Sequence, residues 1–253
     1  MTSKIPCPHG AGRAIFSNTK SASSHCTDRS STVHNLAIKQ ALVVPLGSML
    51  ALMLVGIAVP GYSSISQQMS ELGLMGSYPA AFESVAGVVV GASIIIFSAS
   101  LFRQASGRFV FTVLTSFLFG VSMLCNGIFV MGSPLHGLYG IGFFTVLTPA
   151  LFIAELRHAE RSSAIAAVSK WAAVLTLFYM WLTITRFDPE GFHGLTQRLA
   201  AIPIFGWYSC ASYTLLHSGR LAKKRCLRIP SHLLEAKQPI HAESGPGSAQ
   251  FRQ

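Results

Sequence analysis

Glu71, His136 and His193 are the side chains with the most chemistry to offer. Two imidazoles and a carboxylate suffice to hold a zinc ion with a water position left open, or to serve as an acid and a base. They form the candidate catalytic set. No two of them share the spacing that places ligands on one helix face, so the fold would have to assemble the site. The plainer alternative is a pair of interfacial histidines satisfied by water or lipid headgroups. Arg198 follows Gln197 directly, and Arg186 lies shortly upstream. Two guanidiniums can grip a phosphate or carboxylate bidentately. They can equally pair with Glu71 or Glu83, or snorkel to headgroups. Ser70, Gln197 and Arg198 form the candidate substrate-binding set. The sequence identifies no metal or cofactor: Cys7, Cys26, Cys125, Cys210 and Cys226 form neither a CxxC nor a Cys/His ligand spacing, and no disulfide is expected.

The elements that must carry these residues are apolar. From Phe109 to Ala154 no Asp, Glu, Lys or Arg occurs. As one helix that stretch would be roughly 70 Å long, more than twice a hydrocarbon core of about 30 Å. It therefore crosses twice, with a break at Gly132, Ser133 and Pro134. The whole chain of 253 residues is 51% hydrophobic and 11% charged, against about 25% charged in soluble domains. The fold class expected is all-α: a polytopic membrane bundle of about six spans, at 41–60, 81–102, 109–131, 136–156, 166–186 and 199–217. Continuous apolar runs exclude a barrel, whose strands alternate. The first run begins near Ala41, too far from Met1 for a signal peptide, and reads as a retained span.

Charge sets the orientation. Of the 19 basic residues, all except Arg186 and Arg198 fall at one end of the six spans. By the positive-inside rule both termini are expected in the cytoplasm, in a cell (inner) membrane. The net charge of +10 does not signal nucleic acid, because the charges flank apolar runs without interleaved stacking aromatics. Residues 1–35 and 221–253 read as disordered polar tails around a membrane domain at 36–220. Lys223, Lys224, Arg225 and Arg228 form a topology anchor with some attraction for anionic lipid. Membrane lipids are the expected partners; the oligomeric state is not legible.

Between the first two spans, Ser64 and Gln67 have capping-box spacing and Gly73 is a helix stop. Ile65, Met69 and Leu72 share one face. A short helix is expected there, apolar face down, either plugging the bundle as a cap or carrying Ser66, Ser70 and Glu71 into a site. Inside the spans Asn126 is the main polar residue, and no proton carrier is apparent at mid-membrane. Gly87 and Gly91 form a GxxxG face for close packing, inside the bundle or against a second copy.

The run Ser70-Glu71-Leu72-Gly73, then His136-Gly137, then Gly194-Leu195-Thr196-Gln197-Arg198, resembles the bacterial membrane family catalogued as domain of unknown function 998. The resemblance covers about 41–218. It implies a six-helix inner-membrane protein without an assigned reaction, in which Ser70, Glu71, His136, Gln197 and Arg198 hold the recurrent polar positions. Three functions compete. The first is a non-catalytic protein whose outer polar site recognises a lipid headgroup or partner. The second is an outer-leaflet hydrolase, possible with a metal at Glu71, His136 and His193. The third is a small-molecule transporter, which requires a cavity reaching mid-membrane past Asn126.

Overall fold

The computed structural model describes residues 34–105, 108–156 and 161–227, and these are helical without a strand. Five helices are long and apolar enough to cross a membrane, and a sixth span is a bent pair. The first span runs over His34–Ala58. Its main helix, α1, is Val44–Ala58. A turn at 41–43 separates it from the helical residues before it. Pro45 explains the turn: it has no amide hydrogen and its ring crowds the preceding turn. The Leu42 carbonyl within the turn accepts the Ser209 hydroxyl at 2.6 Å.

A 3-10 helix, Met69–Leu74, follows. Then come α2 (Ser77–Ala105), α3 (Val110–Ile128), a second 3-10 helix at Leu138–Val146, α4 (Thr148–Glu155), α5 (Ser163–Thr185) and α6 (His193–Leu227). The bundle lies in a compact unit ending at Leu216; His217–Gln253 form a second unit. The polar tails expected at 1–35 and 221–253 lie outside the described residues, apart from a helical start at His34 and the end of α6.

The helices alternate in direction, which gives the bundle two ends. One end holds the Met69–Leu74 helix and is called the cap end. The far end holds the end of α2, the start of α3, the end of α4 and the start of α5. At the far end the Glu155 carboxylate caps the start of α3: it accepts Phe111 N at 2.9 Å, Thr112 N at 3.1 Å and the Thr112 hydroxyl at 2.6 Å. An anion there meets the positive end of the helix dipole. At the cap end His136 Nδ1 sits 2.8 Å from the Phe129 carbonyl oxygen, just past the other terminus of α3. The chain between His136 and Glu155 therefore runs the length of α3, and the bent pair is a broken span, not a re-entrant loop. Its two pieces meet at 47°.

α2 is the central helix. Val90, Ile94, Phe97 and Leu101 are fully buried on one face. The glycines pack inside the bundle: a β-carbon on Gly87 would stand 2.7 Å from the Gly127 α-carbon, and one on Gly91 would stand 2.5 Å from the Leu124 nitrogen. Gly120 and Gly127 return the contact from α3. Close backbone approach replaces side-chain interdigitation along this seam.

The expected spans are all present with shifted bounds. The last starts at His193 instead of 199, so His193 is a helical residue and not a loop residue.

Candidate functional site

The segment between α1 and α2 is a cap, built differently from the expectation. The capping box is Gln68 with Glu71, not Ser64 with Gln67. Ser63 and Gln67 close a separate turn instead: Ser63 N donates to Gln67 Oε1 at 2.7 Å and Ser66 N to Ser63 Oγ at 3.3 Å. Met69 and Leu72 sink into the core, while Ile65 of the same expected face stays exposed. The turn takes Ile65 off the stripe. The helix passes Gly73 and ends at Leu74.

Arg198 fastens this cap to α6. Its Nη1 donates to Gln67 O at 2.9 Å and Gly194 O at 2.8 Å, and its Nη2 donates to the Tyr62 hydroxyl. Tyr62 donates onward to Gln68 O at 2.8 Å. Burial pushes the Tyr62 phenol above its ordinary pKa, while the hydrogen bond from Arg198 and its charge pull the other way. Two more bonds close the seam: Gln197 Oε1 accepts Met69 N at 2.7 Å, and Leu195 N donates to Ile65 O at 2.9 Å. Gly194 is required here, since a β-carbon would stand 2.1 Å from Gln67 O.

Beneath the cap is a cavity of about 610 Å³, to which all six spans contribute wall residues. Most of the wall is apolar, with Met49 and Leu52 from α1, Phe143 and Val146 from the broken span, and Met180 from α5. Its polar groups include Ser70, Glu83, Asn126, His136, Tyr179 and Gln197. The floor is aromatic: Phe119 and Phe205 line the cavity with ring centres 5.7 Å apart. Below them Tyr208, Phe97, Trp207 and Phe152 continue the packing in successive ring contacts of 5.0 to 6.4 Å. The cavity passes Asn126 and stops halfway along α3.

The backbone is irregular where it meets this cavity. Leu138 and Tyr139 take positive φ of 45° and 53°, between Gly137 at 72° and Gly140 at 82°. Left-handed leucine and tyrosine cost about 1–3 kcal/mol each. Non-helical backbone at membrane depth is tolerated where it is buried in protein or lines a cavity. Ser122 supports the turn by donating to Gly137 O at 3.0 Å.

Glu83 stands outside both candidate sets. The sequence reading placed it among the outer charges, and found no mid-span carboxylate. It lies within α2 and is 7% exposed. No hydrogen bond or ion pair holds its carboxyl among the described residues, and no Lys or Arg lines the cavity. One signal was available. Glu83, Gly87 and Gly91 recur every fourth residue, so the carboxyl shares the face of the glycine seam that packs inward. Asn126 adds a second orphan: its Oδ1 is buried without a partner.

The expected sets are divided by this geometry. Ser70, His136 and Gln197 reach the cavity wall; Glu71, His193 and Arg198 do not. Glu71 is occupied in the capping box, accepting Gln68 N at 2.8 Å. His193 Nδ1 stands 2.7 Å from Asp188 Oδ2 on the surface. Ser70 directs its hydroxyl to Met131 Sδ at 3.5 Å, not to His136. Among the described residues, no three His, Cys, Asp or Glu side chains stand together as a metal site.

Neither the curated proteins nor the solved structures gave a match to the chain. A family model described as "Protein of unknown function (DUF998)" matches residues 42–214, the stretch from the turn before α1 to the middle of α6 that builds both the cap and the cavity. The chain belongs to that family.

Proposed function

We propose that this membrane protein is a binding protein for an amphipathic, lipid-like molecule, held with its polar head in the cavity beneath the cap. The observation that carries the reading is the cavity itself: about 610 Å³, apolar over most of its wall, with a few convergent polar groups. Small-molecule sites have this size and composition. The cap supports a receptor more than a channel, because Arg198, Gln197 and Tyr62 hold it in place by hydrogen bonds. Transport needs a path through the aromatic floor. The hydrolase reading on Glu71, His136 and His193 needs the three to meet, and Glu71 and His193 are engaged elsewhere.

The basic residues favour an orientation. Arg103, Arg108 and Arg161 lie at the far end. We place that end in the cytoplasm. The cavity then faces the outer half of a cytoplasmic membrane, with membrane lipids as neighbours and source of ligand.

A long-chain alcohol bearing a diazirine tests the reading on protein purified into phosphatidylcholine nanodiscs. Labelling is expected in peptides around Asn126 and Ala201, and excess dodecanol should suppress it. Labelling spread evenly over exposed residues such as Trp171 and Phe178, without competition, overturns the proposal.

A further inference from the structure

Resting on the cavity reading, we infer that the ligand head is an ammonium group recognised by the Glu83 carboxylate. Glu83 is more than nine-tenths buried, and it lines the cavity without a hydrogen-bond or charge partner among the described residues. A carboxylate in so poor a dielectric needs a countercharge. The walls supply none, since Glu83 is the only carboxylate or cation among the described lining residues. His136 also lines the cavity, with its Nδ1 on the Phe129 carbonyl, and no hydrogen bond or ion pair joins it to Glu83 among the described residues.

A proton could neutralise Glu83, yet the resulting hydroxyl and carbonyl would still lack partners among the described residues. An ammonium brings a countercharge and several donors on one atom, and serves both carboxylate oxygens. The same charge balance selects among amphipaths. A phosphate beside the amine would meet a carboxylate and no guanidinium, because Arg198 is turned to the cap. A cationic head without an adjacent anion, on an apolar tail that fits the Met and Phe walls, suits the cavity best.

Dodecylamine and dodecanol are the matched probes, differing only in the head. Full-length protein and its Glu83→Gln variant are placed in phosphatidylcholine nanodiscs, and binding is read by thermal shift and by native mass spectrometry. The wild type is expected to bind dodecylamine at least about ten-fold tighter than dodecanol, the size expected of a charge-assisted bond. Glu83→Gln should abolish that preference and leave dodecanol binding intact, which also reports that the variant is folded. A third arm doping the nanodiscs with phosphatidylethanolamine identifies the source. Protection by that lipid, lost in Glu83→Gln, keeps the ammonium site and moves its ligand to a membrane headgroup. Equal binding of both probes to the wild type overturns the ammonium inference and spares the cavity reading. Equal weakening of both probes in Glu83→Gln overturns it as well, since Glu83 would then act on cavity shape alone. Absence of binding by all three removes the cavity reading together with the inference.

Discussion

The two ends of this bundle solve opposite problems with the same helices. At the far end the space between the spans is filled by rings: Phe109 stacks on Phe152 at 5.4 Å, and Trp207 meets Tyr208 at 5.0 Å with its indole N–H on Ser169 Oγ at 3.0 Å. At the cap end the same α3 and α6 line a cavity, and the fourth span gives up helical geometry. Lipid offers no hydrophobic drive for helices to associate, so packing, close backbone approach and hydrogen bonds must hold the bundle. The far end supplies the packing. The cap end spends that stability on an open space and on strained backbone, which is the usual signature of a site.

The contrast can be broken most severely at the seam that serves both ends. Gly91→Leu has nowhere to put its side chain, because even a β-carbon would stand 2.5 Å from the Leu124 nitrogen and 2.7 Å from Gly120 O. We expect loss of the folded bundle, seen as aggregation on size exclusion in mild detergent; a monodisperse, wild-type-like profile would show that α2 and α3 are not pressed together here. Next is Trp207→Ala in the sealed half, expected to cost about 3–5 kcal/mol through the void left behind. Met180→Ala on the cavity wall adds to an existing space and should cost less than about 1 kcal/mol. Chemical unfolding in detergent measures both, and equal costs would mean that the two halves are packed alike.

Arg198→Ala comes third. It strips donors from the buried Gln67 and Gly194 carbonyls and from the Tyr62 hydroxyl, at about 1–3 kcal/mol for buried groups left unsatisfied. The loss should be local. Hydrogen exchange is expected to rise at Met69 and Leu195, whose amide bonds join the cap to α6, and to stay unchanged around Trp207. Uniform acceleration would make the cap part of the global core.

Much of the far end was legible in the sequence and much of the cap end was not, for a physical reason. Continuous apolar runs report burial in lipid, so six spans and their order follow from Ala41, Phe109–Ala154 and the Gly132–Pro134 break. GxxxG at Gly87 and Gly91 reported close packing, although not with which helix. The site is harder because hydropathy does not separate a side chain facing lipid from one facing a cavity. Ser70, His136 and Gln197 were identified as polar at one boundary, and they do reach the wall. Arg198 and Glu71 looked alike to them in sequence. Only the fold shows that one is consumed as a latch and the other as a helix cap. Glu83 escaped because a carboxylate near the start of a run reads as the edge of the membrane. His193 was taken for a loop residue because no Ser, Thr, Asp or Asn stands next to it to announce a helix start.

Two glutamates give the smallest and sharpest form of the comparison. Glu155 and Glu83 stand toward opposite ends of the bundle. Glu155 accepts bonds from two amides and a hydroxyl at the first turn of α3, where its charge also meets the helix dipole. Glu155→Gln keeps the shape and trades an acceptor oxygen for an amine that faces donors, so a loss of about 1–2 kcal/mol is expected, as for a damaged helix cap. Glu83→Gln trades a carboxyl that no group in the described chain holds. Nothing native is lost, and the burial cost of an unpaired ionisable group is relieved. Its unfolding midpoint should therefore stay within about 0.5 kcal/mol of wild type or rise. A side chain kept buried at no benefit to stability is what a ligand contact looks like. If Glu83→Gln proves as costly as Glu155→Gln, Glu83 is a structural group, and the cap end has lost its distinguishing charge.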